Sequence, residues 1–276
     1  MNIRSRSVYL LGAALLLSGC VAGERHRVTV TREWPAAGIE RVEVRGVNGG
    51  LRVEAADTDR VSLVAKVKAR GIAPRQGENR GYFSTEISGN TLRIEQKKRI
   101  VRVSFPFRIG SQLEIDYALR VPRRLALDLT TVNGRIATRG MSGDARLRSV
   151  NGAIDAEVAG TEGLQAQTVN GRIRASFTDD FRGAQLKTVN GSVQAVLPAS
   201  ASFTCDLAQV NGDFEASFPL SIHSHPGRRR VSGEVNSGRY QLKITTVNGS
   251  VRLQHAEPAA PPEPPDPPVA PAQPVS

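Results

Sequence analysis

The chain has 276 residues, 23% of them charged and 5% aromatic, with 37 Lys plus Arg against 26 Asp plus Glu for a formal net charge of +11. An apolar fraction of 39% is enough for a packed core but low for a multi-pass membrane protein, and two cysteines exclude a disulfide-stapled scaffold. With 26 Gly and a single Trp, the core must be built mostly from small and branched aliphatic side chains.

The N-terminus carries Arg4 and Arg6, then an apolar run from Val8 to Leu17, then Leu17-Ser18-Gly19-Cys20. A basic start, a short apolar stretch and a small-residue cleavage site form a secretory signal peptide over residues 1–19. The run is too short for a permanent transmembrane helix. Leu-Ser-Gly-Cys resembles the lipobox of bacterial lipoproteins. That resemblance implies diacylglycerol on the Cys20 thiol, cleavage before it and acylation of the new amine. Lipoproteins kept at the inner membrane usually carry Asp after the cysteine, and Val21 stands there. The expectation is a protein of the cell envelope, tethered by residues 20–27 to the outer membrane, with the lipid bilayer as its first partner. Cys205 would then be the one remaining thiol.

A domain is expected from residue 28 to 255. Its first part holds strand-like runs at Val61–Val67, Thr85–Ile87, Leu92–Glu95, Val101–Phe105 and Leu113–Arg120. These read as irregular early coils or a capping sheet, with Gly71 to Gly81 as an exposed loop.

The tripeptide Val-Asn-Gly then dominates. It begins at Val47, Val132, Val150, Val169, Val189, Val210 and Val247, with successive spacings of 85, 18, 19, 20, 21 and 37. A period near 20 indicates a solenoid whose units bury their apolar faces against one another. Aligned on the motif, the positions three and five before Val and four and six after it are almost all apolar, as in Leu129, Leu127, Ile136 and Leu253. The positions between carry Asp128, Arg146, Arg174 and Lys243. Apolar and polar residues alternating with period two mark strands with one buried face.

Each unit therefore reads as strand, Asn-Gly corner, strand. The corner asparagines are Asn48, Asn133, Asn151, Asn170, Asn190, Asn211 and Asn248. Glycine tolerates positive φ and Asn the left-handed region, which suggests a φ requirement at the corner. Two architectures compete: an antiparallel meander closed by Asn-Gly hairpins, and a parallel β-helix in which the asparagines stack in a ladder. The hairpin reading needs a second fixed turn, and Gly140, Gly143, Gly160, Gly163 and Gly183 sit at varying offsets. The columns also repeat residue for residue, as parallel stacking requires. The fold expected is all-β: a single-stranded β-helix of about 18–21 residues per coil with an irregular N-terminal cap. Asn48, 85 residues from the next copy, reads as an isolated corner. From residue 256 to 276, nine of 21 residues are Pro, which forbids strand or helix and gives an extended tail that acts as a spacer.

Tyr117-Ala118-Leu119-Arg120-Val121-Pro122, Leu127-Asp128-Leu129-Thr130-Thr131-Val132-Asn133-Gly134, Gly233-Glu234-Val235, Gly238-Arg239-Tyr240 and the closing Thr245-Thr246-Val247-Asn248-Gly249-Ser250-Val251 resemble the bacterial "putative adhesin" domain of unknown function. The resemblance spans about Val28 to Gln254. It implies an exported or envelope-facing solenoid and carries no catalytic residues to transfer.

The chemistry legible in the residues is sparse. His223 and His225 could face one side of an extended segment, but no third ligand can be named. Cys205 falls in an inward column and reads as core. Asp179-Asp180, and Asp213 with Glu215, are the nearest carboxylate pairs, without an assignable nucleophile or base. No metal, cofactor or catalytic residue is expected. Lys97-Lys98-Arg99 with Arg102, Arg123-Arg124, and Arg228-Arg229-Arg230 are runs that could meet anionic polymers or headgroups. No aromatic platform accompanies them, so nucleic acid is not an expected partner. The function expected is that of a non-enzymatic envelope lipoprotein, an adhesin-like or structural module with an envelope glycan or protein as partner. The alternative is a solenoid enzyme acting on anionic polysaccharide. A flat face of mixed charge favours the module; clustered charged groups in a groove across coils favour the enzyme.

Overall fold

A computed structural model describes residues 25–70, 81–97, 112–159, 163–178, 180–225 and 228–256. Its strands are β1 (Arg25–Pro35), β2 (Arg41–Arg45), β3 (Leu51–Ala56), β4 (Arg60–Arg70), β5 (Phe83–Ser88), β6 (Thr91–Gln96), β7 (Gln112–Pro122), β8 (Ala126–Asn133), β9 (Ile136–Met141) and β10 (Ala145–Asn151). They continue with β11 (Ile154–Val158), β12 (Leu164–Gln167), β13 (Ile173–Phe177), β14 (Ala184–Lys187), β15 (Val193–Leu197), β16 (Phe203–Asn211), β17 (Phe214–Ala216), β18 (Ser221–His225), β19 (Arg228–Val235), β20 (Tyr240–Asn248) and β21 (Val251–His255). The first strand starts at Arg25, ahead of the domain start expected at residue 28.

The strands form two long sheets. Sheet A runs β1-β4-β7-β3-β9-β11-β13-β15-β21-β17, and sheet B runs β18-β19-β16-β20-β14-β12-β10-β8-β2-β6-β5. Every Val-Asn-Gly corner carries the chain from a sheet B strand to a sheet A strand. Successive coils pair in parallel with homologous residues opposite one another, as Leu129 with Leu147 and Ile154 with Ile173. The parallel β-helix is the architecture found, and the hairpin meander is not. Side chains of the inward columns interleave between the sheets: Leu129, Leu147, Leu186, Leu207 and Ile244 from sheet B, and Ile136, Ile154, Val193, Val251 and Leu253 from sheet A, are all buried. Each such aliphatic side chain contributes about 1.5–3 kcal/mol.

The corner opposite the motif has no fixed sequence. Towards the C-terminal end it is filled by Phe177, Phe181, Phe203 and Phe218, whose rings meet edge to face at centroid separations of 4.9–5.7 Å.

Chain order and spatial order diverge in two places. The first coil, β2 and β3, pairs directly with β8 and β9 despite the 85-residue separation of their corners. The intervening chain forms the cap: β4 inserts antiparallel between β1 and β7 on sheet A, and β5–β6 forms a hairpin on sheet B. Asn48 is thus not an isolated corner, since its coil fills the place beside the next one. At the other end, the last coil, β20 and β21, lies between the coil of β14 and β15 and that of β16 and β17. The hairpin pair β18–β19 covers the outer edge of β16. Both sheets therefore present antiparallel capping strands or a short edge at their ends, which limits edge-to-edge pairing with other chains.

Candidate functional site

The motif corner is built from three stacked columns. In the first, each asparagine side chain donates to the one before it in space: Asn133 Nδ2 to Asn48 Oδ1 at 2.8 Å, Asn151 to Asn133 at 2.9 Å, Asn170 to Asn151 at 2.8 Å, Asn190 to Asn170 at 2.9 Å, Asn248 to Asn190 at 2.9 Å and Asn211 to Asn248 at 2.9 Å. Asn48 Nδ2 ends the chain on the Leu113 carbonyl at 3.4 Å. All seven side chains point their amides the same way, so neighbouring bonds polarise one another.

The second column is glycine, and the reason is proximity. A Cβ on Gly134, Gly152, Gly171 or Gly191 would overlap the carbonyl oxygen of the preceding glycine in the stack. These four do not adopt positive φ; Gly49 at one end of the ladder and Gly249 and Gly212 at the other do (120°, 158° and 125°). None of the seven corner asparagines has positive φ. The φ requirement expected from the sequence is replaced, through the middle of the solenoid, by the need for close approach of backbones.

The third column was not legible as a site in the motif itself. In the first copy the residue before Val is Gly46, and in the other six it is Thr131, Ser149, Thr168, Thr188, Gln209 or Thr246, all buried. Each donates to the glycine carbonyl of the neighbouring coil, as Thr168 Oγ1 to Gly152 at 3.0 Å, Thr188 to Gly171 at 3.1 Å and Gln209 Nε2 to Gly249 at 2.8 Å. A hydroxyl recurring at that offset is the signal that could have revealed it. The corner's polar groups thus hold neighbouring coils together, and its exposed components are the asparagines from Asn133 to Asn248 and four of the valines, Val132, Val150, Val210 and Val247, at 37–41%.

The outer face of sheet A is a lattice of opposite charges. Arg135 contacts Asp155 at 2.5 Å, Arg139 contacts Glu157 at 3.3 Å and Arg252 contacts Glu215 at 2.7 Å, each between adjacent coils. At the cap, Lys68 bonds Glu114 at 2.7 Å and Asp116 at 3.0 Å, which raises the lysine above its usual range. Burial acts to raise Asp116, but the Gly50 N–H, at 2.9 Å, and Lys68 hold it below the ordinary aspartate value. Asp213 and Glu215 border a depression with Gln194 and Arg252, and Glu215 is committed to Arg252. Asp179 lies outside the described residues.

The outer face of sheet B differs. Across β10, β12, β14 and β20 the register aligns Arg146, Gln165, Gln185 and Lys243 in one column and Arg148, Gln167, Lys187 and Thr245 in the next. Arg146 Nε donates to Gln165 Oε1 at 3.1 Å. Asp128 on β8 meets the edge of this patch, 3.6 Å from Arg148 and 4.0 Å from Arg146. Farther towards the cap, Glu43 lies between Arg45 at 2.5 Å and Arg93 at 2.9 Å; burial acts to raise it, but the two guanidiniums hold it below the usual glutamate value.

The basic runs in the sequence do not form one site. Lys97 follows β6, whereas Arg229 and Arg230 lie on β19, eight strand steps away in sheet B, or about 38 Å. Pairing places Arg229 opposite Gln209 and Arg230 opposite Ala208, so these two arginines leave opposite faces of the strand. Arg229 is spent on structure: its Nη1 donates to the Gly212 carbonyl at 3.0 Å and to Gln209 Oε1 at 3.3 Å, closing the last corner. Arg230 is exposed. Arg123 pairs with Asp57 at 3.0 Å. Lys98, Arg99, Arg102 and Cys20 lie outside the described residues, as do the signal peptide, the Gly71–Gly81 loop up to residue 80, the Val101–Phe105 run and the Pro-rich tail beyond residue 256.

Cys205 is buried in its inward column, and burial, with the Asp206 charge adding to it, pushes its thiol up to about 12. Among the described residues no three His, Cys, Asp or Glu side chains gather as a metal site. His223 and His225 both lie on β18.

These features define a capped, two-sheet parallel β-solenoid whose corners are internally satisfied and whose variable chemistry stands on two outer faces. The chain belongs to the Toastrack DUF4097 family, whose profile matches residues 35–254. Among solved structures it is similar to a "putative cell adhesion protein" of Clostridium sporogenes, at 9% identity and TM-score 0.46, covering 84% of this chain and 100% of that one. It is also similar to a "putative adhesin" of Bacteroides fragilis, at 13% identity and TM-score 0.40, covering 83% and 97%. A third is a "putative lipid binding protein" of Parabacteroides distasonis, at 13% identity and TM-score 0.33, covering 83% and 97%. No curated protein matches the chain.

Proposed function

We propose that the protein is a non-enzymatic binding or structural module of the bacterial envelope, adhesin-like in using a long regular face, and anchored by lipid on Cys20 to the outer membrane. The observation that carries this reading is the state of the carboxylates on the faces. Asp155, Glu157 and Glu215 are each tied to an arginine of a neighbouring coil, so they brace the solenoid and are poorly placed for acid–base work. The faces offer side chains in columns at strand spacing, which suits recognition of an extended partner.

The second reading, a solenoid enzyme acting on anionic polysaccharide, is favoured by the depression beside Asp213 and Glu215. The experiment that separates them uses the full chain carrying Cys20→Ser, incubated with envelope fractions and anionic polysaccharides, with retention and polymer length measured together. Retention without shortening is expected. Shortened polymer, abolished by Asp213→Asn with Glu215→Gln, would establish the enzyme instead.

A further inference from the structure

The two columns on the outer face of sheet B deepen that reading and rest on it. Four of their eight positions are cationic, Arg146, Arg148, Lys187 and Lys243, and none is acidic. Asp128 approaches the two arginines from the flanking strand β8, and Asp206 lies opposite Lys243 on β16, so acids border the patch on both sides without entering it. Lys187 and Lys243 have no carboxylate at ion-pair distance among the described residues, in contrast to the arginines paired across coils on sheet A. The charge here is therefore available.

The patch has a shape. Adjacent strands stand about 4.8 Å apart and successive outward side chains on one strand about 7 Å apart, so four strands make a strip about 14 Å by 7 Å, elongated along the solenoid axis, with a shallow depression among Arg146, Arg148, Gln165, Gln167, Gln185 and Lys187. Between the cations lie Gln165, Gln167 and Gln185, and each amide offers both donor and acceptor groups. A partner lying along the axis meets cation, amide, amide, cation in one column and cation, amide, cation, hydroxyl in the next. Cations suit carboxylates or sulfates, and amides suit hydroxyls. A membrane surface would use the cations alone and would favour apolar anchors, which these eight positions lack. A nucleic acid would call for aromatic platforms, also lacking there.

We infer that this strip binds a linear anionic polysaccharide along the solenoid axis, with Arg146, Arg148, Lys187 and Lys243 against its acidic groups and the three glutamines against its hydroxyls. Polygalacturonate and dextran sulfate serve as probes, with neutral dextran and phosphatidylglycerol vesicles as comparisons, and the protein is the full chain carrying Cys20→Ser. One variant changes Arg146, Arg148, Lys187 and Lys243 to Gln. The control changes Arg52, Lys66, Arg172 and Arg174 on sheet A to Gln, removing the same charge. Loss of a local cationic site should weaken binding by at least about tenfold and loss of distant charge by less than about threefold, because salt screens beyond roughly 8–10 Å. Both variants should keep the parent's urea midpoint, since the changed side chains lie on the outer faces. Equal losses in the two variants, or binding to vesicles with neither polyanion retained, would overturn the assignment. If envelope fractions retain the chain but neither polyanion does, the polysaccharide assignment falls while the binding-module reading stands. If polymer is shortened, the module reading itself falls.

Discussion

Asn133 donates its side-chain amide to Asn48 at 2.8 Å across 85 residues of sequence. That bond joins the first coil to the second and makes the cap, a long excursion of the chain, an insertion into a continuous ladder. Asn170 both accepts and donates in the ladder, whereas Asn211 only donates. Asn170→Val should therefore cost about 1–3 kcal/mol by removing two bonds. Asn211→Val should cost less. Asn48→Val should fall nearer to Asn170, because it strands the Asn133 donor and gives up the Leu113 contact. Urea midpoints of the three variants check the order. An Asn48 variant indistinguishable from the parent would show that the first coil does not stack as described.

The glycine column gives a steric prediction. Gly171→Ala pushes a Cβ into the Gly152 carbonyl and should cost about 3 kcal/mol or more, because backbone on both sides must move. Gly89→Ala, at φ 59° with open space around it, should cost only about 1–2 kcal/mol from the left-handed backbone. Thermal or urea unfolding of the pair separates close approach from φ, and a smaller cost at Gly171 than at Gly89 would refute the stacking explanation.

The buried hydroxyl column predicts a loss without any change of volume. Thr168→Val keeps the shape of the side chain but leaves the Gly152 carbonyl without its 3.0 Å donor, for about 1–2 kcal/mol. Thr168→Ser should retain most of the stability. Differential scanning calorimetry of both variants tests whether the hydroxyl, and not the methyl, is what the column supplies.

Two limits of pH follow from Glu43, Asp116 and Cys205. Glu43 and Asp116 have folded-state values below their ordinary 4.5 and 3.8, so their contribution is present above those values and is lost as pH falls through the lowered ones. Cys205 is raised from 9.0 to about 12, so its protonated form favours folding below pH 9, and that contribution declines as pH rises from about 9 towards 12. Stability against pH should slope down at both ends. Glu43→Gln should flatten the acid limb and Cys205→Ala the alkaline one. Unchanged limbs in urea titrations would mean these groups titrate alike in the folded and unfolded chain.

Much of this was legible in the sequence, for a physical reason. A strand with one buried face writes period two into the chain, and a parallel stack writes the same residue types into the same column, so Leu129, Leu147 and Leu186 announced both the sheet and its register. The order of coils was not legible. Spacing measures distance along the chain, whereas β2 meets β8 and β20 enters between β14 and β16 because those edges offer free hydrogen-bonding groups. The Arg228–Arg230 run does not present its charges on one face, for a related reason: neighbours on a strand point to opposite faces, and Arg229 and Arg230 part company there. The cationic strip on sheet B is assembled from residues that lie far apart in sequence, from Arg146 to Lys243, so it emerges only when the coils are laid side by side in their spatial order.

Lysine acetylation read by mass spectrometry, with the full chain carrying Cys20→Ser free and bound to envelope fractions, locates the working face in a single measurement. Lys187 and Lys243 stand exposed on the sheet B strip, and Lys66 stands exposed at the cap end of sheet A. Binding should slow acetylation of Lys187 and Lys243 several-fold and leave Lys66 unchanged. Protection of Lys66 with Lys187 and Lys243 still reactive would place the partner on the other face and contradict the account.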